Sequence, residues 1–190
     1  MADYCTIKEV REMMPDVEWD ASYDVVLTSL ITRASRAIDR WTGREPDAYC
    51  APEATRLFDS VGNCELYIGE LATNPKEVKV AWDGTTFELI DATEYDCLPI
   101  NSTPFNYLRL EFGTFPLRRK SVQVKGNFGY SLSVPDDIKQ AAITQVIRWY
   151  KHGQQAFQNT AAASQFGTPE YGGLDETVSS ILEAYRKVVI

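Results

Sequence analysis

The spacing of apolar residues divides the chain into helical, then strand-like, then again helical stretches. From about residue 20 to residue 42, apolar residues recur at steps of four and three, which is the period of one helical face. That face contains Tyr23, Leu27, Ile31, Ala34, Ile38 and Trp41. Gly43 follows directly, and glycine commonly ends a helix. The pattern predicts one long amphipathic helix near the start of the chain.

Three further helices are predicted from their start signals. Thr6 can cap a short helix that ends before Pro15, and Asp175 can cap a final helix that reaches the end of the chain. Pro135 suits a first helical turn, and the acidic pair at 136–137 complements the positive end of the helix dipole. The apolar residues that follow these starts are Ile138, Ala142, Val146 and Trp149 in one helix and Val178, Ile181, Leu182, Tyr185 and Val188 in the last.

Between these helices, over residues 55–128, the apolar period changes to two. The runs that resemble strands are RLFD, ELYI, EVKVAW, TFELI, YLRLEF and KSVQVKG. Residues 82–85, Trp-Asp-Gly-Thr, favour a tight hairpin between two of the runs. Pro99, Pro104 and Pro116 lie between runs, where proline does not interrupt a strand. We expect about five to seven strands in a small antiparallel sheet or barrel.

The predicted fold class is therefore α+β. The N-terminal helices and two C-terminal helices form a helical bundle that is discontinuous in sequence, over residues 1–53 and 129–190. Residues 54–128 form a β-rich insertion. The bundle is expected because the apolar face after Pro135 can lie against the face that contains Leu27 and Ile31.

Composition and charge exclude several classes of protein. The 190 residues contain no apolar run near the ~18 residues of a membrane helix and no basic-then-apolar leader, so we expect no membrane association and no export. The net charge of −8 argues against a protein that grips nucleic acid with its whole surface. It does not argue against a protein that DNA slides past. Cys5, Cys50, Cys64 and Cys97 are widely separated, which predicts free and mostly buried thiols.

Candidate chemistry is sparse. The single histidine, His152, precedes Gly153 and is expected at the C-terminal end of its helix, where it can bind unpaired carbonyl groups. No metal-ligand spacing, nucleophile motif or glycine-rich phosphate loop is present in the sequence. We therefore predict no catalytic residue, no metal site and no cofactor. An enzyme of unrecognised type is the least favoured interpretation.

A row of arginines lies opposite the apolar face of the long helix. Arg33, Arg36 and Arg40 follow one another at steps of three and four. They can form a subunit interface with an acidic neighbour, meet phosphates, or form an ordinary solvated face. The sequence leaves these alternatives open.

The segment after His152 changes in composition. Residues 154–173 are rich in Ala, Gln, Ser, Thr and Gly, with Phe157, Phe166 and Tyr171 as isolated aromatic residues. Loops longer than about 12–15 residues inside a compact domain tend to be functional or disordered. The three aromatic residues are therefore candidates for partner binding, and a plain flexible excursion is the alternative.

The order of these elements resembles a known family. The run VQVKGNFGYSLSVPDDIKQAAITQVIRWYKHG is similar to the tail-proximal half of the head–tail connector (adaptor, or head completion) proteins of tailed bacteriophages. In that family a strand ending in Gly-Tyr leads through Val-Pro into a helix ending in Trp-Tyr, which here are residues 129–130, 134–135 and 149–150. The run SLITRASRAIDRWTGR is similar to the helix that opens the family. Many members have a shorter middle than residues 55–128.

The resemblance implies a structural virion protein. Copies would assemble into a ring, of twelve in the virion, that docks beneath the portal protein, extends the DNA channel and offers a docking surface to a tail, stopper or neck protein. Genomic DNA would pass through without specific binding. The protein would lie in the neck, at the head–tail interface, after assembly in the host cytoplasm.

Two alternatives remain. The first is a β-rich module that binds a ligand or glycan through a stacking platform of Trp82, Tyr95, Phe105 and Tyr107, although such residues are more often sheet core or hairpin pairs. The second is another structural protein of the phage neck or tail.

Overall fold

The computed structural model describes residues 2–158 and 173–187, which fall into two compact units. Unit 1 is Met1–Pro46 with Val134–Ile190, and unit 2 is Asp47–Ser133. The domain boundaries predicted from the sequence, 1–53 with 129–190 and 54–128, stay a prediction.

The helices of unit 1 begin where the sequence places their caps. In the described residues they are α1 (Ile7–Glu12), α2 (Tyr23–Thr42), α3 (Asp136–Gln158) and α4 (Glu176–Glu183). The Thr6 side chain accepts from the Glu9 N–H while Glu9 accepts from the Thr6 N–H, a reciprocal cap at the start of α1. α2 ends at Gly43, whose φ of 68° is left-handed. α3 was expected to end near His152 but continues to Gln158, because one interior glycine costs only ~1 kcal/mol of helix stability.

The core of unit 1 is formed by one face of each long helix. Leu27, Ile31, Ala34 and Ile38 of α2, Ile138, Ala141, Ala142, Ile143 and Val146 of α3, and Val178 and Leu182 of α4 are buried. Alanines on α3 allow a close approach of α2. Trp41 was predicted on this packed face, but its side chain is 43% exposed. After Ile38 the buried face of α2 continues at Asp39 and Thr42, so Trp41 lies outside the core.

Unit 2 contains seven strands in two antiparallel sheets. A 3₁₀ turn at Ala48–Cys50 precedes them. The strands are β1 (Glu53–Ser60), β2 (Glu65–Leu71), β3 (Glu77–Val80), β4 (Glu88–Leu89), β5 (Tyr95–Leu98), β6 (Phe105–Leu110) and β7 (Arg118–Asn127). The first sheet has the order β1-β7-β3-β4 and the second β2-β6-β5. A mixed α and β architecture is thus confirmed, whereas residues 47–133 contain no closed barrel.

The two sheets share one hydrophobic core. Its members include Ile68, Leu71, Val78, Val80, Leu108, Phe115, Val122 and Val124. The chain turns between β3 and β4 as predicted, but residues 81–87 form a longer loop than the tight hairpin expected at 82–85, because Val80 pairs with Glu88. Within this loop the Asp83 carboxylate accepts from the N–H groups of Thr85 and Thr86. Strand β5 was not predicted, because Tyr-Asp-Cys-Leu lacks a clean alternation of apolar and polar residues.

The first and last strands of unit 2 lie side by side. β1 pairs with β7 from Glu53 opposite Asn127 to Phe58 opposite Val122. Just beyond β7, the backbone at Gly129 passes close to the 3₁₀ turn, and the Tyr130 N–H donates to the Ala48 carbonyl at 2.6 Å. A side chain at 129 would meet this backbone, which explains the glycine.

Candidate functional site

An exposed cleft on unit 1 combines two tryptophans with two arginines. It measures about 300 Å³ and is lined by Arg33, Ala37, Arg40 and Trp41 of α2, Trp149 of α3, and the residues 173–174. We call it the Arg–Trp cleft. Tryptophan and arginine are the residues that most often dominate binding energy in protein interfaces. The composition of the cleft is therefore that of an interaction surface.

Trp149 and Arg33 are in contact within this surface. The Arg33 guanidinium lies 4.3 Å from the centre of the Trp149 ring, within the range of a cation–π contact. Arg33 and Arg40 are both exposed. Among the described residues neither of them forms an ion pair with a carboxylate. Two guanidinium groups beside exposed aromatic carbon can therefore bind an anionic and partly apolar partner.

Arg36, the third member of the predicted row, has a different environment. Its side chain is only 20% exposed, pairs with Asp39 at 3.2 Å and donates to the Ala2 carbonyl at 2.6 Å. Tyr4 also donates its hydroxyl hydrogen bond to Asp39. Arg36 thus neutralises a buried carboxylate within unit 1, and the structure brings together only Arg33 and Arg40 at the cleft.

Residues 173–174, just before α4, line one side of the cleft, and several polar contacts hold both ends of α4. The Asp175 N–H donates to the buried Gln145 side chain at 2.9 Å, and the Asp175 carboxylate pairs with Arg148. At the other end, the Lys187 N–H donates to the Thr42 carbonyl at 2.8 Å, and Tyr185 donates to Asp137 at 2.9 Å. These contacts hold α4 against α2 and α3, and Leu174 lines the cleft together with Trp149.

A second surface is the outer edge of unit 2 formed by β4 and β5. These are the outermost strands of their sheets. Glu88, Asp91, Glu94 and Asp96 are exposed there, and we call these four residues the acidic edge. Hydrogen bonds from the Thr93 N–H and hydroxyl lower the pKa of Asp91, because they stabilise the carboxylate. In this part of unit 2 all charged side chains are acidic, because residues 80–108 contain no Lys or Arg.

The three predicted partner-binding aromatics lie mostly outside the described residues. The backbone of Phe157 belongs to the last turn of α3. Its side chain, and all of Phe166 and Tyr171, lie outside the described part of the chain. Their role stays a prediction.

The predicted stacking platform is not one surface. Phe105 is buried and Tyr95 packs against the core of unit 2. Tyr107 instead lies 5.3 Å from Tyr67, ring centre to ring centre, on the neighbouring strand. Trp82 is exposed by itself beside the β3–β4 turn. The four aromatic residues therefore do not converge on a ligand.

The cysteines and the histidine add no reactive site. Of the four cysteines only Cys5 is buried, so the expectation of mostly buried thiols is wrong, whereas all four are free as predicted. Burial raises the pKa of Cys5 to about 12 and that of Cys97 to about 11. His152 is exposed on α3. In residues 2–158 and 173–187, no three His, Cys, Asp or Glu side chains are grouped so that they could bind a metal ion.

Sequence reasoning missed the role of the tryptophans in the cleft. Trp41 and Trp149 were both placed on packed faces, because their spacing matches the apolar period. Only the crossing of α2 and α3 shows that they line a surface.

No helix in the described part of the chain is both long and apolar enough to span a membrane.

Comparison with protein families gives one match over nearly the whole chain. The family model described as head completion protein matches residues 4–188. No curated protein is similar enough in sequence to count as a match.

Comparison with solved structures gives matches of the same fold at low sequence identity. A chain in the neck of an empty gene transfer agent particle, computed with C6 symmetry, is 15% identical with a TM-score of 0.60; the match covers 96% of this chain and 89% of that one. A chain in the neck of the native particle, computed with C12 symmetry, is 14% identical with a TM-score of 0.57 over 97% and 89%. A chain in the virion of the native particle is 16% identical with a TM-score of 0.52 over 96% and 89%. These likenesses show that the chain has a fold already known from that particle.

Proposed function

The chain belongs to the head completion protein family, and we propose on that basis that it forms a ring beneath the portal and connects the head of the virion to its tail. The family match confirms the resemblance to head–tail connector proteins stated from the sequence, and with it a structural role in the virion. The observation that carries the proposal is the extent of the match, residues 4–188, which includes both units.

The ring is supported by the symmetry of the similar structures. The two neck structures were computed with C6 and C12 symmetry. A cyclic ring uses a heterologous contact, in which one patch of a subunit meets a different patch on the next. We propose twelve copies, located in the neck of the virion.

The net charge suits a channel through which DNA moves. A ring of subunits with a net charge of −8 each repels phosphates, so DNA can slide without being held at one site. We propose that genomic DNA passes through the ring without specific binding. We also propose that the helices of unit 1 form a bundle that is the rigid body of each subunit, and that no catalytic residue is involved.

The Arg–Trp cleft is our candidate for the subunit interface. Arg33 and Arg40 are exposed beside Trp41 and Trp149, whereas Arg36 pairs with Asp39 inside unit 1. Charge reversal at Arg33 and Arg40 should therefore weaken ring formation without unfolding the protein. Reversal at Arg36 should mainly destabilise unit 1, because it would leave Asp39 buried beside another carboxylate.

The proposal is tested by the mass and shape of the purified chain. Light scattering and negative-stain imaging would be applied to the chain alone and mixed with portal particles. We expect a ring, or a monomer that is recruited onto portals. A chain that neither assembles nor binds portals would overturn the connector role.

Contact with the portal protein, or with a tail, stopper or neck protein, is a further part of the proposal. Phe157, Phe166 and Tyr171 are isolated aromatic residues, and aromatic residues are favoured anchors in interfaces. Deletion of residues 157–171 should leave a folded chain that no longer binds portal particles. Retained binding would exclude these residues as portal contacts.

A further inference from the structure

The Arg–Trp cleft requires a partner with particular chemistry. Its two guanidinium groups have no carboxylate partner among the described residues, and they line the cleft together with Trp41 and Trp149. A matching surface must therefore present at least two carboxylates. The chain has an acidic surplus, with 27 acidic against 19 basic residues, so such a surface can be sought on a second copy.

The acidic edge of unit 2 has these properties. Its four carboxylates, Glu88, Asp91, Glu94 and Asp96, form no ion pair with Lys or Arg within the described ranges; the nearest strand partner, Arg109, pairs instead with Glu65 at 3.8 Å. Leu89 lies directly beside Glu88 on β4 and is 65% exposed. Glu88 and Leu89 lie on opposite faces of β4, and Leu89 is opposite Lys79 on β3. The match to the cleft is therefore one of charge, between four carboxylates and two arginines.

The position of the acidic edge also suits a neighbouring subunit. Both β4 and β5 are outermost strands, so no further strand of unit 2 pairs with their open sides. Edge strands present unpaired backbone groups and are common sites of contact with another chain. β4 has only two residues, so side chains rather than an added strand must supply most of the contact.

We propose that the acidic edge of one copy binds in the Arg–Trp cleft of the next copy, with Glu88 and Glu94 beside Arg33 and Arg40. This contact rests on the proposed ring, and it names the two different patches that a heterologous interface needs. It joins unit 1 of one subunit to unit 2 of its neighbour. Repeated around the ring, it uses each cleft and each acidic edge once.

The contact is tested by two charge-reversed proteins that are measured separately and then mixed. One carries Arg33→Glu with Arg40→Glu, and the other carries Glu88→Lys with Glu94→Lys. Each protein alone brings like charges together at every contact, so we expect self-association at least about tenfold weaker than that of the wild type. In an equimolar mixture each reversed cleft meets a reversed edge, and each original cleft meets an original edge. The mixture should therefore associate like the wild type, in alternating order.

A matched control variant changes the net charge by the same amount at a site outside the proposed contact. Arg119→Glu with Lys120→Glu reverses two exposed cations at the start of β7, and it should leave association unchanged. Circular dichroism checks that all variants fold. Association is measured by sedimentation of the full chain over rising concentration, alone and on portal particles.

The outcomes separate this contact from the ring itself. If the wild type assembles and both reversed proteins also assemble, the ring stands and this contact is wrong. If both reversed proteins fail and their mixture fails too, the cleft binds something other than the acidic edge, such as DNA phosphates or another protein. If the wild type assembles neither alone nor on portals, the ring is overturned and this contact with it.

Discussion

Arg33 on α2 and Trp149 on α3 join two helices that are far apart in sequence, because the guanidinium stacks over the indole ring at 4.3 Å. The contact lies at the surface, and one face of the guanidinium remains open to the cleft. The same pair therefore links helix packing in unit 1 to the surface that we assign to subunit contact.

Replacing Trp149 with Leu should separate these two roles. The variant loses the cation–π contact, which we expect to lower the free energy of unfolding by ~0.5–1 kcal/mol. The free energy of self-association should fall by more than the free energy of unfolding, because aromatic anchors carry much of the energy of an interface. Urea unfolding and sedimentation of the same protein measure the two effects. A variant that unfolds earlier yet associates normally would contradict a role for Trp149 in the cleft surface.

Replacement of either of two glycines with alanine should change the stability of the protein, in opposite directions. A Cβ at Gly129 would lie 2.6 Å from the Ala48 carbonyl oxygen and 2.8 Å from the Ala51 side chain, so Gly129→Ala should destabilise the protein by ~1–3 kcal/mol. A Cβ at Gly153 would meet nothing within 4 Å. Gly153→Ala should stabilise α3 by ~0.5–1 kcal/mol, because glycine is a poor helix former. Chemical denaturation compares both with the wild type.

The ion pair between Glu9 and Lys139 should make the free energy of unfolding depend on pH. Stability should be lost at acidic pH and again at strongly alkaline pH. Their charged atoms lie 3.0 Å apart. The hydrogen bond from Lys139 lowers the pKa of Glu9 below 4.5, its ordinary value, so the stabilisation is complete above that pH and is lost as pH falls through the lowered pKa. The same bond raises the pKa of Lys139 above 10.5, so the stabilisation persists up to that pH and is lost as pH rises through the raised pKa.

This dependence is measured with Glu9→Gln. The difference in unfolding free energy between wild type and variant should be constant near neutral pH and should shrink as the solution is acidified. Glu12→Gln is the control, since the pair of Glu12 with Lys8 is open to solvent at 3.7 Å and contributes little. A difference that is independent of pH would show that the Glu9 cap, and not its charge, supplies the stabilisation.

The cysteines should differ in reactivity according to burial. Burial raises the pKa of Cys5 to about 12 and that of Cys97 to about 11, so both thiols stay protonated at neutral pH. Alkylation of these two in the folded chain should be more than about a hundredfold slower than that of an exposed thiol, because only the thiolate reacts. Mass spectrometry after brief labelling, with and without denaturant, measures the difference. Rapid labelling of Cys5 in the native chain would show that α1 opens.

The starts and types of the helices could be predicted because their signals are local. Thr6 with Glu9, Pro135 with the acidic pair at 136–137, and Asp175 each act within one turn of the chain. The role of Arg36 could not be predicted, because it depends on Tyr4 and on the Ala2 carbonyl, which are more than thirty residues away. The exposure of Trp41 likewise follows from helix crossing and not from helical period.

The β region shows the same limit. Alternation of apolar and polar residues indicated most of the strands, but it carried no information on which strands are neighbours. The pairing of β1 with β7, about sixty residues apart, and the division into two sheets arise only when the core of unit 2 closes. Tyr95–Leu98 became a strand because β6 pairs with it, not because of its own propensity.

The side-by-side pairing of β1 and β7 has a consequence for how this protein can change. Because Glu53 lies opposite Asn127, the chain enters and leaves the β unit at almost the same point. A module with adjacent ends can be lost, enlarged or replaced while the two flanking segments keep their separation. The segment that contains the seven strands can therefore be exchanged as one unit, and a short turn could replace it in a smaller relative.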